Sequence, residues 1–541
     1  MIFCLSLSTD LCSIKMLQNE MGFFYDGESS KPYQPFQDWL KGHQSVDYCD
    51  YYHDGFRNCC LSLLQILSIS KFQINLKMEQ VHKLHNGYGN KSKSNKWYPL
   101  IKRYRKFQLS LSPQQNLLYG FLTYTFIGWL LLCIPLFHKQ AVSALDSLFI
   151  ATSAISTTGL VTVSLFDTYN WFGQFVIMAL IQIGGIGYMT FTSFVLLSKK
   201  SPLTHWHQRV LGAEFTMPKG FEIKDFLKSV IIFTILIEAI GALFLYIAFT
   251  RADIEPNFAV WSSIFHSVSA FCTAGFGLYN DSFEQFADNT FINVILSVLS
   301  ICGSLGFIVV TDFWNKISGK TKEVTFTTKT IFAVIFLLLT VGTLMIYFFE
   351  PSIDHLVENK WMASFFQSMT ALTTVGFNTV PLGSFSLAVM LVLIFLMYVG
   401  ASPSGTGGGM KSTTLTALIA IMWNRIRNNK QVTFFGKVIP LERLYVATSV
   451  FILYASVIFI STFLLAMTED LPLDKILFET TSAIGTVGLS TGITGYLTPW
   501  GKLTLIFVMF VGRLGVLTFG IAILARRKGI STTADEGDLA V

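Results

Sequence analysis

One short pattern constrains this chain more than any other feature, because it occurs four times. Each copy has serine or threonine, then alanine, four variable residues, glycine, and leucine or phenylalanine. The copies occupy residues 153–160, 269–276, 370–377 and 482–489. Internal repetition of this kind indicates that one structural unit is used four times, with neighbouring units packed against each other.

Each copy lies between two long apolar segments. Segments such as 227–249 and 330–349 carry almost no charge and have the ~20 residues needed to cross a hydrocarbon core of about 30 Å. Of all 541 residues, 52% are hydrophobic and 13% are charged, and the mean hydropathy is +0.53. These values exclude an ordinary soluble globular domain. We therefore predict an all-α polytopic membrane protein, because backbone groups in lipid must be satisfied within helices.

These segments divide the chain into four tandem helix–pore loop–helix repeats around one pore. We place repeat 1 at 112–200, repeat 2 at 201–315, repeat 3 at 316–430, and repeat 4 with the C-terminal tail at 431–541. Residues 1–111 form a polar extension, either lineage-specific or the product of a translation start placed too early. We expect this extension to be disordered or not part of the fold.

Charge placement predicts the orientation in the membrane. Connections between repeats are basic, with residues such as Lys199, Lys316 and Arg425, whereas turns within repeats are acidic, with residues such as Asp253 and Glu350. The positive-inside rule then places the connections in the cytoplasm. Eight spanning helices and two cytoplasmic termini follow.

The repeated pattern favours a cation filter. A potassium ion in a narrow passage must exchange its water for other oxygens, and rings of backbone carbonyls provide them. Glycine permits the backbone angles that turn carbonyls inward, and the preceding short helix directs its negative end at the ion. The predicted filter residues are Ser156, Thr157, Thr158, Gly159, Cys272, Thr273, Ala274, Gly275, Thr373, Thr374, Val375, Gly376, Gly485, Thr486, Val487 and Gly488.

Close helix packing is the alternative interpretation of these glycines, since small residues often mediate it in membranes. A single copy of the pattern would favour packing. Four copies at the same place in each repeat favour the filter.

Residues 400–414, rich in glycine and serine, interrupt the sixth apolar segment. So polar a stretch cannot face lipid, and we predict an intramembrane gating loop below the third filter segment. Its candidate gate residues are Gly405, Thr406, Gly407, Gly408, Gly409 and Lys411. A phosphate-binding loop is the first alternative, but Met410 stands where that motif needs glycine. A simple kink at Pro403 is the second.

Two charges lie within apolar segments. Arg513 is in the middle of the last one, and an intramembrane charge is a functional hypothesis by default. We predict that Arg513 faces the pore as a barrier to cations, the alternative being that it extends to an interface. For Glu238, pairing with a neighbouring helix is favoured over a role in transport.

Three further motifs are typical of one protein family: Leu-Ser-Pro-Gln-Gln at 111–115, Ile-Gln-Ile-Gly-Gly-Ile-Gly at 181–187, and Gly-Arg-Leu-Gly at 512–515. With the four filter patterns they make the span from residue 112 onward similar to the Trk/Ktr/HKT superfamily of potassium transporters, most closely its Ktr-type membrane subunits, the KtrB type. The resemblance implies a fused, potassium-channel-like pseudo-tetramer in a bacterial plasma membrane. It also implies a homodimer, gating by a KtrA-like, RCK-type cytoplasmic subunit, and sodium-dependent potassium uptake.

The chain departs from its relatives and from tetrameric channels in places. Its filters are shorter and less regular than those of tetrameric channels, so modest selectivity is expected. The family resemblance implies that sodium both competes and activates, at a site the sequence does not assign. Val516 stands where relatives usually carry proline, which leaves a local kink open. The sequence predicts K⁺ as transported ion, no organic cofactor, no catalytic residues and no nucleic-acid partner.

Two other function classes remain as alternatives. A secondary transporter for ammonium or another solute would have inverted repeats and a closed midplane site, whereas these four repeats run in the same sense. A membrane-embedded enzyme would need a catalytic constellation, and the apolar segments contain no serine–histidine pair, paired aspartates or metalloprotease motif.

Overall fold

The computed structural model describes residues 111–187 and 223–524. The predicted N-terminal extension up to residue 110, the connection 188–222 and the tail 525–541 lie outside the described residues.

The first half of the described chain contains two helical triads, each with a short middle helix that we call a pore helix. The first triad is α1 (Pro113–Leu132), pore helix α2 (Ala144–Ile155) and α3 (Trp171–Ile186). The second is α4 (Ile223–Arg251), pore helix α5 (Pro256–Phe271) and α6 (Thr290–Ser304), continued by α7 (Phe307–Ile317).

The second half repeats this order. The third triad is α8 (Phe326–Phe349), pore helix α9 (Lys360–Thr373) and α10 (Leu387–Val399), followed by α11 (Ser412–Ile426). A hairpin of β1 (Thr433–Phe434) and β2 (Lys437–Val438), which the sequence did not predict, leads to the fourth triad. That triad is α12 (Leu441–Thr468), pore helix α13 (Leu473–Gly485) and α14 (Pro499–Leu514), continued by α15 (Val516–Leu524).

Local sequence explains where α1 begins. Ser112 accepts a hydrogen bond from the backbone N–H of Gln115, while the Gln115 side chain accepts from the N–H of Ser112. This reciprocal capping, with Pro113 at the first helical position, satisfies amides that the helix itself leaves free. The Gln115 amide also donates to the carbonyl of Ala522, so α1 begins against the end of α15.

Membrane-spanning length is less uniform than the sequence suggested. Among the described helices, three are long and apolar enough to cross a membrane: Ser229–Arg251, Phe326–Phe349 and Leu441–Thr468. Counting the bent pairs α6–α7 and α14–α15 as one span each gives five, against the eight we predicted. The two bends have a local cause, because Gly306 between α6 and α7 and Gly515 between α14 and α15 have positive φ, as do Gly187 and Gly400 at the ends of α3 and α10.

The four triads contact one another in cyclic order. Within each triad the two long helices and the pore helix all touch. Between triads, the last helix of one packs on the pore helix of the next: α3 on α5, α6 on α9, α10 on α13, and α14 back on α2. The same contact made four times closes a ring, with the pore helices directed toward its middle.

Candidate functional site

The segments that follow the pore helices meet on one axis. We call these segments, residues 157–159, 273–275, 374–376 and 486–488, the filter strands. A side chain added at Gly159 would collide with the carbonyl of Ala274 and approach the Cα of Gly275. Gly275 lies in the same way against Val375, Gly376 against Val487, and Gly488 against Thr158. The four strands therefore form a closed ring in which the carbonyl of each middle residue lies beside the glycine of the neighbouring strand.

The backbone of each filter strand is strained at the same place. Its threonine has a positive φ, at 52° for Thr157, 50° for Thr273, 58° for Thr374 and 47° for Thr486, a region that β-branched residues avoid. The glycine two residues later also has positive φ, while the residue between them does not. Such alternation turns successive carbonyls to the same side. Strained backbone of this kind clusters at functional sites.

A side chain of the pore helix holds the glycine in three strands. The N–H of Gly159 donates to Ser153 Oγ at 3.1 Å, that of Gly376 to Thr370 Oγ1 at 3.0 Å, and that of Gly488 to Ser482 Oγ at 3.1 Å. These hydroxyls belong to the first residue of the repeated pattern. The repeated pattern thus contains both the hydroxyl that accepts this hydrogen bond and the glycine N–H that donates it.

The second strand is the exception. Ser269 Oγ, the equivalent hydroxyl, is buried without a hydrogen-bond partner. Gly275 has a φ of 66°, whereas the other three filter glycines have φ near 90°. The four strands therefore follow one another in the same way around the ring, but the second differs in its hydrogen bonding and in the φ of its glycine.

A second set of glycines lets helices approach the pore-helix ends. A Cβ at Gly184, Gly303 or Gly512 would collide with the carbonyl of Ile155, Phe271 or Ile484, the last or next-to-last residue of α2, α5 or α13. The packing interpretation applies to these glycines. The filter glycines instead contact neighbouring filter strands.

One pore-helix position carries a polar side chain in three of the four repeats, which the sequence-based reasoning missed. Three residues before the patterned serine or threonine stand Ile150, His266, Gln367 and Glu479. The His266 ring accepts from the N–H of Leu278 at 3.0 Å, and Gln367 donates to Thr379 at 2.9 Å. Alignment of the four repeats on their glycines would have revealed this position.

Glu479 has the most partners at this position. Its carboxylate accepts from the N–H of Thr491 at 3.1 Å, from Thr494 Oγ1 at 3.1 Å, and from Ser490 Oγ. All three donors lie in the segment just after the fourth filter strand. The buried carboxylate therefore holds the segment at the C-terminal end of that strand.

The predicted gating loop crosses under the ring. Thr406 Oγ1 donates to the carbonyl of Phe271 at 3.0 Å and accepts from Thr273 Oγ1 at 3.1 Å. The Gly408 N–H donates to Thr374 Oγ1 at 2.8 Å. Any side chain at Gly408 would collide with Gly485. The loop thus touches the N-terminal ends of the second, third and fourth filter strands.

Lys411 and the glycines fold this loop on itself. Lys411 Nζ donates to the carbonyls of Gly407 at 2.5 Å and Gly408 at 3.0 Å. Gly409 has a φ of 76° and packs against Gly400, where α10 ends. Gly405 lies against the carbonyl of Ser304 at the end of α6. All six predicted gate residues therefore lie in one compact loop.

Arg513 joins the loop to the first repeat. Its guanidinium donates to the carbonyl of Thr406 at 2.5 Å and to the carbonyls of Gly184 and Gly185 at the end of α3. A planar guanidinium can make several such bonds at once. The arginine thereby sits beneath the ring, with the loop on one side and the first repeat on the other.

The arrangement is suited to holding a cation by oxygen. Within 111–187 and 223–524, no three His, Cys, Asp or Glu side chains come together as metal ligands. The oxygens at the ring are backbone carbonyls and threonine hydroxyls, and those of Thr157 and Thr486 have no hydrogen-bond partner. Carbonyl rings are the groups that replace the water of a passing ion.

Comparison with known proteins agrees with this arrangement. The family model TrkH, described as cation transport protein, matches residues 105–529. The "Ktr system potassium uptake protein B" of Vibrio alginolyticus is 33% identical over 393 residues, 72% of this chain and 86% of the relative. Its namesake from Bacillus subtilis is 34% identical over 421 residues, 75% and 92% of the two chains. The "Potassium/sodium uptake protein NtpJ" of Enterococcus hirae is 33% identical over 441 residues, 79% and 95%.

A solved structure has the same fold. The crystal structure of the potassium transporter TrkH from Vibrio parahaemolyticus matches with a TM-score of 0.60 at 20% identity, covering 75% of this chain and 83% of that one. The predicted resemblance and the predicted all-α membrane fold are thereby confirmed. This chain belongs to the TrkH family of cation transport proteins.

Proposed function

We propose that this chain is the ion-conducting subunit of a Ktr-type potassium uptake system in a bacterial plasma membrane. One observation carries the proposal: four filter strands form a closed ring in which each glycine lies against a carbonyl of the next strand. Each strand follows a pore helix whose C-terminal, partially negative end points at the ring. Potassium is the transported ion, coordinated by the carbonyls of the sixteen filter residues.

Relatives support the choice of ion. Two of them are named potassium uptake proteins and a third a potassium/sodium uptake protein. The short filter strands fit this breadth, since fewer carbonyl rings discriminate less between the two ions. Sodium is therefore proposed both as a competitor and as an activator, without an assigned site.

The loop beneath the ring is the proposed gate. It obstructs the inner end of the filter through Thr406, Gly407 and Gly408, and hydrogen bonds to Thr273 and Thr374 hold it there. Arg513 adds a positive charge at the same level, which repels a cation leaving the filter. Opening requires the loop to release Thr273 and Thr374 and to separate from Arg513.

The cyclic contacts disfavour the secondary-transporter alternative. Every triad presents its last helix to the pore helix of the next. Units related by rotation about one axis produce that pattern, whereas inverted repeats would alternate two different contacts.

Assembly and orientation belong to the same proposal. The relatives' names place them in "Ktr systems", which supports a partner subunit, here an RCK-type, KtrA-like cytoplasmic ring. The family resemblance supports a homodimer with one pore in each protomer. The basic connections between repeats support cytoplasmic termini. Native mass spectrometry of the purified protein, which should report twice the protomer mass, tests the dimer.

Rubidium uptake tests the central claim. Proteoliposomes containing the full chain should accumulate radioactive rubidium down an imposed potential, and external potassium should compete more strongly than sodium. Ammonium uptake without rubidium uptake would favour the secondary transporter instead. No cation uptake by correctly folded protein would contradict the proposal.

A further inference from the structure

The second filter strand lacks the support that the other three have. Its patterned serine, Ser269, makes no hydrogen bond to Gly275, and the φ of Gly275 differs from those of its three equivalents. A strand with one tether fewer must be held by something else, or its carbonyls would not keep their place in the ring. The structure offers a candidate directly behind it.

Cys272, the residue before this strand, is anchored differently from its equivalents. Ser156 Oγ donates to the carbonyl of Thr152 at 2.6 Å, and Thr373 Oγ1 donates to that of Met369 at 2.7 Å, so both are tied to their own pore helix. The fully buried thiol of Cys272 instead points away from its helix. It lies 3.7 Å from Glu238 Oε1 and 3.9 Å from Gln182 Oε1.

Glu238 is held between three helices at this point. Its carboxyl group accepts from Gln182 Nε2 of α3 at 3.0 Å, and its backbone carbonyl accepts from Ser267 Oγ of α5 at 2.7 Å. Two glycines permit the approach, because a Cβ at Gly185 would lie 2.5 Å from Cys272 Sγ and one at Gly241 would lie 2.6 Å from Ser267 Oγ. The lack of a side chain at these two glycines thus lets the helices approach and places the Glu238 carboxyl group behind the second filter strand.

We propose that Glu238, fixed by Gln182, is a positioning residue that sets the second filter strand through Cys272, and that the preference for potassium over sodium depends on it. This inference rests on the proposed function and adds a residue outside the filter to it. Glu238 lies on α4, outside the ring of filter strands. It acts by limiting how far the carbonyls at 272–274 shift, which matters most for the smaller ion, since a looser ring can contract around sodium.

Competition between ions provides the test. The full chain and its variants are reconstituted in proteoliposomes, and rubidium uptake is measured against increasing sodium. Glu238→Ala should lower the sodium concentration that halves uptake by about fivefold, the effect expected for loss of one hydrogen bond at the strand. The maximal rate should change much less. Glu238→Gln keeps the size and an acceptor for Gln182, and should restore most of the preference.

Thr234→Val is the matched control, because Thr234 is buried on the same helix and its hydroxyl has no partner. It should behave as the parent protein does. Cys272→Ala should reproduce the Glu238→Ala effect, and the double variant should be no worse than either single one, since both changes break the same link.

The outcomes separate the inference from the function on which it depends. A parent protein that takes up no rubidium contradicts the function. A selective parent with unchanged sodium competition in Glu238→Ala overturns the inference alone. Should Glu238→Ala fail to fold, Cys272→Ala decides, and unchanged competition in that variant overturns the inference equally.

Discussion

At the scale of single residues, the filter depends on backbone angles that most side chains resist. Four threonines in the left-handed region each cost about 1–3 kcal/mol unless the surroundings hold them. In three of the four strands the hydroxyl of the patterned serine or threonine accepts a hydrogen bond from the glycine two residues after the strained threonine, and so helps to hold the strand. The repeated pattern therefore specifies a strained strand together with part of what holds it.

Gly376→Ser or Gly159→Ser should weaken the preference for potassium over sodium. A side chain at either glycine must adopt a φ near 90° and collides with a carbonyl of the neighbouring strand. The measurement is growth rescue of a potassium-uptake-deficient strain at limiting potassium, with rubidium uptake as a second readout.

Gly492→Ser is the control for these changes. Gly492 has the same kind of backbone, with a φ of 91°, but nothing lies within 4 Å of an added Cβ. Unchanged uptake kinetics in the filter variants would count against the filter assignment.

Removing the hydroxyl of the first residue of the repeated pattern should reduce the preference for potassium in three strands and have no effect in the second. Ser153→Ala, Thr370→Val and Ser482→Ala each delete a hydrogen bond to a filter glycine worth ~1 kcal/mol, and should reduce the preference for potassium. Ser269→Ala deletes a hydroxyl that has no partner and should be neutral. Sodium competition against rubidium uptake measures all four. An equal effect at all four positions would mean that the second strand is not exceptional.

At the scale of elements, the break in the last helix of each triad is what places the loop and Arg513. α14 and α15 are bent by 96° at Gly515, which has a φ of 82°, although Val516 stands where the family resemblance predicts proline. The kink left open by the sequence is therefore present, because a glycine rather than a proline makes it. Gly400 ends α10 in the same way and directs the chain under the filter.

Arg513→Ala should raise the rubidium flux. The variant removes a positive charge beneath the filter together with the hydrogen bond that holds the Thr406 carbonyl, so the loop is released more easily. Initial uptake rates in proteoliposomes at several rubidium concentrations distinguish a change in rate from one in affinity.

Arg513→Lys is the informative control for that experiment. Lysine keeps the charge but cannot bridge the carbonyls of Thr406, Gly184 and Gly185 in one plane. A flux between those of the parent and the alanine variant is expected. If neither substitution changes flux or affinity, Arg513 is not a barrier.

At the scale of the whole molecule, the first and last repeats must meet for the ring to close. Lys502 at the start of α14 forms an ion pair with Asp146 of α2 at 2.8 Å, and both side chains are only 15% exposed. The two residues are 356 positions apart, so the pair joins the last triad to the first. The pair therefore helps to offset the entropy lost in closing so long a loop.

Lys502→Ala should lower the free energy of unfolding by about 1–3 kcal/mol, because it leaves a mostly buried carboxylate without its partner. Thermal denaturation in detergent, followed by gel filtration of the remaining folded protein, measures the effect. The exchanged pair Asp146→Lys with Lys502→Asp should recover part of the stability. Lys329→Ala, which breaks an exposed pair with Glu323, should have no measurable effect. Equal losses from both alanine variants would contradict the role of the closing pair.

The sequence by itself determined the class of fold, the four repeats and the phase of the filter glycines. These depend on local chemistry: apolar length, a glycine where φ must be positive, and charge at the connections. The continuous spanning helices were predicted wrongly, because the apolar pattern runs through Gly306 and Gly515 without showing that the backbone bends there.

Only the tertiary structure decided which strand neighbours which, and which strand differs. The hydroxyls of Ser153 and Ser269 look alike in sequence, yet one holds its glycine and the other has no partner. Glu238 and Cys272, 34 residues apart in the chain, meet where two glycines let three helices converge. The local sequence determines which conformation each segment can adopt. Contacts between segments depend instead on the packing of the whole ring, which no local pattern encodes.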